Sequence, residues 1–121
     1  MQVNQIFIYM NVVELYVKDR MVLMYILSIR TGNKMTLQDY MLKKEIMSKV
    51  SLTEEDFVKY EIVDEGGGNM KWNLKKDRDN PMAFEIDDKT SSFFKKMADT
   101  LSDEEYVEDV WDVVQKIYDN C

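Results

Sequence analysis

Carboxylates crowd the C-terminal end of this chain: Asp99, Asp103, Glu104, Glu105, Glu108, Asp109, Asp112 and Asp119 stand against a single base, Lys116. The whole sequence holds 16 Lys/Arg and 23 Asp/Glu, a formal net charge of −7. Taking away those eight acids and one base leaves 15 of each in residues 1–98, so the net charge belongs to the end alone. On a helix, acids three or four residues apart lie about 5–6 Å from one another. Such a stripe can imitate a phosphate row and capture a surface lined with Lys and Arg, or steer association with any basic protein. The candidate partner-binding residues are Glu104, Glu105, Glu108, Asp109, Asp112 and Asp119. Glu104/Glu108 and Glu105/Asp109 are like-charge i,i+4 pairs, each costing up to about 0.5 kcal/mol. A stripe that costs folding free energy favours a use in binding; the plain alternative is a solvated face that keeps a small domain soluble.

Other chemistries are poorly supplied. The chain has no histidine, which removes Ser-His-Asp and Cys-His catalysis, His-ligated metals and the usual base near neutral pH. Its one cysteine, Cys121, argues against a disulfide framework and for a reducing, intracellular setting. Carboxylate-only catalysis needs a cleft that desolvates one acid, which a convex helix face does not offer. No catalytic residue, metal or cofactor is expected, and the chain does not read as an enzyme. Gly66-Gly67-Gly68-Asn69 lacks the Gly-Lys-Ser/Thr ending of a phosphate loop and reads as a hairpin turn. Asp77-Arg78-Asp79-Asn80 lacks the glycine and the terminal Glu of a calcium loop. Lys71, Lys75, Lys76 and Arg78 form a modest basic cluster beside Trp72, the alternative site, for nucleic acid. Of ten methionines, Met21, Met24, Met35, Met41 and Met47 fall in the first two helices, as core filler or as adaptable contact faces.

The elements that must position these residues are legible in part. Three helix starts carry an apolar residue, a Thr or Ser cap, an acid at N3 and an aromatic at N4. They are Met35-Thr36…Asp39-Tyr40, Leu52-Thr53…Asp56-Phe57 and Leu101-Ser102…Glu105-Tyr106. The second and third match over seven positions. Met21, Val22, Tyr25, Ile26 and Ile29 have helical spacing, with Gly32 placed to end that helix. A second helix is expected over Leu37–Lys49, and a short one after Thr53. Strand signals at Tyr60–Val63 and at Met70, Trp72 and Leu74 flank the glycines as a hairpin. Lys75–Pro81 reads as a charged loop and Met82–Ile86 as a strand. Asp87 or Asp88 caps a helix carrying Phe93, Phe94, Met97 and Leu101. On the last helix Tyr106, Val107, Val110, Trp111, Val113, Val114, Ile117 and Tyr118 share one face, opposite the acids.

The expected fold is α+β, mainly helical: helix-helix-short helix-β hairpin, a winged-helix-like order, then a short strand and two C-terminal helices. Residues 1–121 read as a single domain, with residues 1–15 ambiguous between strand, helical turn and a loosely attached segment. Residues 1–17 lack the basic start of a signal peptide, and no apolar run approaches the ~20 residues that span a bilayer, so a cytoplasmic protein is expected. In a DNA-reading winged helix the short helix would meet phosphate, yet it opens Thr53-Glu54-Glu55-Asp56.

Asp19-Arg20 followed by Met21–Leu27 and Gly32-Asn33, Val50-Ser51-Leu52-Thr53-Glu54-Glu55, and Met70-Lys71-Trp72-Asn73 together resemble a group of short acidic proteins of phages and prophages of Gram-positive bacteria. The spacing of Ile86 and Phe93–Leu101 to the last helix is similar too; a proline usual after the first helix is replaced by Ser28-Ile29. The resemblance covers most of residues 19–118 and implies a phage origin and a small α-rich fold; the group has no agreed activity, so no residue role transfers. The expectation is a non-enzymatic phage protein, cytoplasmic in the infected host cell, that binds a basic host protein through its acidic C-terminal helix. For a partner that handles nucleic acid, the role would be an inhibitor of anti-CRISPR or other anti-defence type. The alternatives are a winged-helix-like nucleic-acid-binding regulator and a self-associating virion or assembly component.

Overall fold

The structure, a computed structural model, describes residues 11–29 and 34–121. In chain order these form β1 (Asn11–Leu15), α1 (Val17–Ser28), α2 (Leu37–Val50), α3 (Glu54–Lys59), β2 (Val63–Gly66), β3 (Asn69–Lys71), α4 (Leu74–Asp79), β4 (Met82–Ile86), α5 (Asp88–Leu101) and α6 (Glu108–Tyr118). The fold is α+β and mainly helical, in the expected order from α1 to the β2–β3 hairpin.

Local capping starts most of the helices. Thr36 Oγ1 accepts the Asp39 N–H at 3.1 Å and opens α2. At α3 the exchange is reciprocal: Thr53 Oγ1 accepts the Asp56 N–H at 3.2 Å, and Asp56 Oδ2 accepts the Thr53 N–H at 2.9 Å. Asp87 Oδ1 accepts the Thr90 N–H at 2.8 Å and opens α5. At α1 the Tyr16 N–H donates to Asp19 Oδ2 at 3.0 Å.

Helices α1, α2, α5 and α6 close a ring in which each packs on two others. The antiparallel β1–β4 pair lies against α1 and α5, with Val13 opposite Phe84 and Leu15 opposite Met82. Alternation sends Val13, Leu15, Phe84 and Ile86 inward and Val12, Glu14, Ala83 and Glu85 outward. Inside the ring Leu23, Ile26, Leu27, Ile46, Phe94 and Leu101 are buried, and Phe94 meets Phe93 and Phe84 edge to face. Each such side chain contributes about 1.5–3 kcal/mol through burial.

A smaller cluster gathers Val17, Tyr60 and Ile62 with Phe57, Met70 and Trp72, under α3 and the hairpin. Two buried charged residues tie it to α1. Arg20 donates through Nε to the Val50 carbonyl at 3.0 Å and through Nη2 to the Ser51 carbonyl at 2.9 Å and to Asp56 Oδ2 at 2.8 Å. Asp77 accepts the Val17 N–H at 2.9 Å on one oxygen and the Trp72 Nε1–H at 3.1 Å on the other. After α3, Ile62 N–H bonds Phe57 O and Glu61 N–H bonds Val58 O, with Glu61 left-handed at φ 55. That is a Schellman stop with Glu where glycine is usual. Lys76 Nζ at 2.7 Å and Asn73 Nδ2 at 3.0 Å hold its carboxylate. At the hairpin turn Gly67 and Gly68 have φ of 63 and 81, a conformation that side chains resist.

Several expectations need correction. Ser102 does not open the last helix. It is the αR C-cap of α5, with its hydroxyl donated back to the Asp99 carbonyl at 2.8 Å, so it lacks the extended backbone that an N-cap needs. α6 starts at Glu108 instead, leaving Glu104 and Glu105 in the connection. Lys75–Pro81 is mostly helix α4, because the Asn73 side chain accepts the Lys76 N–H at 3.0 Å and starts a turn. The same cap ends the strand alternation at Lys71, so Trp72 and Leu74 lie outside β3. Tyr60 is the α3 C-cap rather than strand, and β2 begins at Val63. Val107 and Tyr118, placed on the packed face, are 71% and 47% exposed. Of the ambiguous N-terminal stretch, Asn11–Leu15 is strand; residues 1–10, and Gly32 with its helix-ending role, lie outside the described residues.

Candidate functional site

The acids of α6 divide by their angle around the helix. Val110, Val113, Val114 and Ile117 are buried against the ring. Asp109 and Lys116 lie on the flank facing α1, and both are used there: Lys18 Nζ meets Asp109 Oδ1 at 3.1 Å, and Lys116 Nζ meets Asp19 Oδ2 at 2.7 Å. Lys116 also lies 4.8 Å over the Tyr16 ring. These crossed pairs pin α6 to α1. Glu108, Asp112 and Asp119 form a separate outer line, exposed and without an ion pair among the described residues. They run about 16 Å along the surface. Of the connection residues, Glu104 accepts the Tyr106 hydroxyl at 2.9 Å, and Glu105 is exposed. The six predicted acids are thus not one uniform stripe: Glu104 and Glu105 lie in the connection, Asp109 is paired, and Glu108, Asp112 and the C-cap Asp119 align along the outer side of α6.

The predicted basic cluster is largely matched by its own acids. Lys71 lies 3.3 Å from Glu65, Lys76 2.7 Å from Glu61 and Arg78 4.0 Å from Asp79; Lys75 forms no ion pair among the described residues. Lys71 belongs to β3 and the other three to α4, so they do not line one strand of a wing.

Beside the acidic edge lies a feature that sequence spacing did not show. An open groove of about 910 Å³ runs between α1, the tip of the hairpin and the connection into α6. Met21, Tyr25, Met70, Trp72 and Val107 supply its apolar surface, and Glu105 and Asp109 its acidic rim. Met21 and Trp72 are brought together by the small cluster under the hairpin, which no local pattern announces. The legible hint was the run of methionines over the first two helices, Met21 among them. A second cavity, about 320 Å³ between α2 and α5, is crossed by the Lys96–Asp39 pair at 3.2 Å. Leu37, Tyr40 and Met41 form a further exposed patch on α2.

Few perturbed groups mark a reaction centre. Burial acts to raise the Asp56 carboxyl, but hydrogen bonds from the Thr53 N–H and Arg20 outweigh it and leave it below the usual aspartate value. The Thr90 N–H lowers Asp87, and Lys76 with Asn73 lowers Glu61; all three acids sit at caps. Burial pushes the Cys121 thiol up, away from a reactive thiolate. Among the described residues no three His, Cys, Asp or Glu side chains are placed to hold a metal ion, and no helix is long and apolar enough to cross a membrane. Compared with known proteins, the chain matches no family model, no curated protein and no solved structure.

Proposed function

We propose that this chain is a small phage protein that acts by binding, with the outer edge of α6 as its contact and a basic surface of a host protein as its partner. The observation that carries the reading is the exposed line Glu108, Asp112 and Asp119, without an ion pair among the described residues, in the one segment that holds the whole net charge of the chain. Charges left without internal partners are available to a partner's Lys and Arg, and they raise the rate of encounter with a basic surface. A partner that handles nucleic acid presents such a surface, which makes inhibition of a host defence complex, of anti-CRISPR or related type, the role we favour. The site of action would be the cytoplasm of the infected cell. Nucleic-acid binding through Lys71, Lys75, Lys76 and Arg78 is the weaker reading, because neighbouring carboxylates answer three of the four.

The test is a pull-down from nuclease-treated host lysate with the full-length protein and with Glu108→Lys/Asp112→Lys/Asp119→Lys. The expected result is one basic protein recovered near equal stoichiometry by the first and lost by the second, with the helical circular dichroism unchanged. Equal recovery by both would overturn the acidic edge as the contact.

A further inference from the structure

We infer that the groove beside the α6 edge seats a large apolar side chain of the partner protein, from a segment that carries Lys or Arg close to that anchor. The inference rests on reading this side of the molecule as a protein-binding face. Tyr25 and Val107, 51% and 71% exposed, leave apolar surface open to solvent at the groove, and Met21, Met70 and Trp72 extend it inward. Methionine and aromatic side chains suit a contact that must adapt to a partner's shape. A volume of about 910 Å³ accepts a side chain together with its flanking backbone, and it lies within the roughly 300–1,000 Å³ typical of concave sites.

Charge selects the class of occupant. Lys18 on the rim is engaged by Asp109 at 3.1 Å, so Glu105 sets the remaining charge of the lining; Glu108 and Asp112 do not line the groove but stand exposed on the neighbouring outer line of α6. Phosphate-bearing ligands are repelled there, whereas an apolar residue flanked by cations satisfies floor and rim at once.

The experiment is a selection of displayed random twelve-residue peptides on the immobilised full-length protein, followed by fluorescence polarisation of the enriched peptides. Two groove variants are compared, Tyr25→Lys and Val107→Ser, each checked by circular dichroism and thermal melting. Both change exposed side chains, so folding is expected to survive. The expected result is enrichment of peptides with a large apolar residue beside Lys or Arg, weakened about tenfold or more by Tyr25→Lys. No enrichment, apolar peptides without cations, or equal affinity for Tyr25→Lys would overturn the inference. Self-association abolished by Tyr25→Lys in analytical ultracentrifugation would also overturn it, by making the groove a contact between copies. In the pull-down, a partner lost only with the α6 triple variant would overturn the groove and keep the acidic edge. A partner retained by both sets of variants would overturn both.

Discussion

Arg20 Nη2 and Asp56 Oδ2 stand 2.8 Å apart, joining α1 to the first turn of α3 with side chains only 6% and 17% exposed. The same guanidinium closes the end of α2 through the Val50 and Ser51 carbonyls. One side chain therefore ties three helices at a point where the main core gives way to the cluster under the hairpin. Removing it leaves two carbonyls without their donor and the Asp56 carboxylate without its countercharge, held only by the Thr53 N–H and hydroxyl. Arg20→Met is expected to cost about 3 kcal/mol or more in urea unfolding followed by tryptophan fluorescence. Arg20→Lys is expected to recover only part of this, because a single ammonium lacks the planar fork that reaches separated acceptors.

Asp77 ties the cluster from the other side, accepting from the Val17 N–H and the Trp72 indole at once. Asp77→Ala strands two donors in a buried place and is expected to cost about 2–4 kcal/mol. Asp77→Asn keeps one acceptor oxygen, and about half that loss is expected. Hydrogen exchange at the Val17 amide is the direct check: it should quicken in both variants, more in the alanine.

Stability should fall in acid for a traceable reason. Asp56 and Asp87 are both held below the ordinary aspartate value of 3.8. A carboxyl depressed in the folded state contributes fully above its unfolded value, and the contribution is lost as pH drops through the unfolded and then the folded value. Melting temperature is expected to be flat above about pH 5 and to decline below about pH 4. Asp56→Asn should lower the plateau and flatten part of the acid slope, and an unchanged slope would refute the assignment.

The caps allow a paired test. Thr53→Ala should cost about 1 kcal/mol, since its hydroxyl accepts the Asp56 N–H. Ser102→Ala, in the matching sequence position, should change stability by less than about 0.5 kcal/mol. Val107, the exposed residue that does precede α6, makes no side-chain cap, so Val107→Asp should add about 0.5–1 kcal/mol. Thermal melts of the three variants decide all of these together.

Sequence alone determined the local features of this chain. Thr36, Thr53 and Asp87 announce helices because a short polar side chain satisfies a free N–H two or three residues ahead, whatever surrounds it. Alternation at Met82–Ile86 announces a strand with one buried face, and the wheel of the last helix separates its valines from its acids. Tertiary structure decided the rest. Leu52–Val58 and Leu101–Val107 carry nearly the same pattern, yet Thr53 is extended at φ −93, ψ 172 and starts a helix, while Ser102 is helical at φ −61, ψ −25 and ends one. The difference lies in the preceding residue: Leu101 is the last buried residue of α5, and its place in the core carries the helix through Ser102. Likewise, the pairing of Asp109 with Lys18 and of Lys116 with Asp19 depends on α6 lying against α1. The wheel could name the acids of that face; only packing decided which of them remained free, and which groove opened beside them.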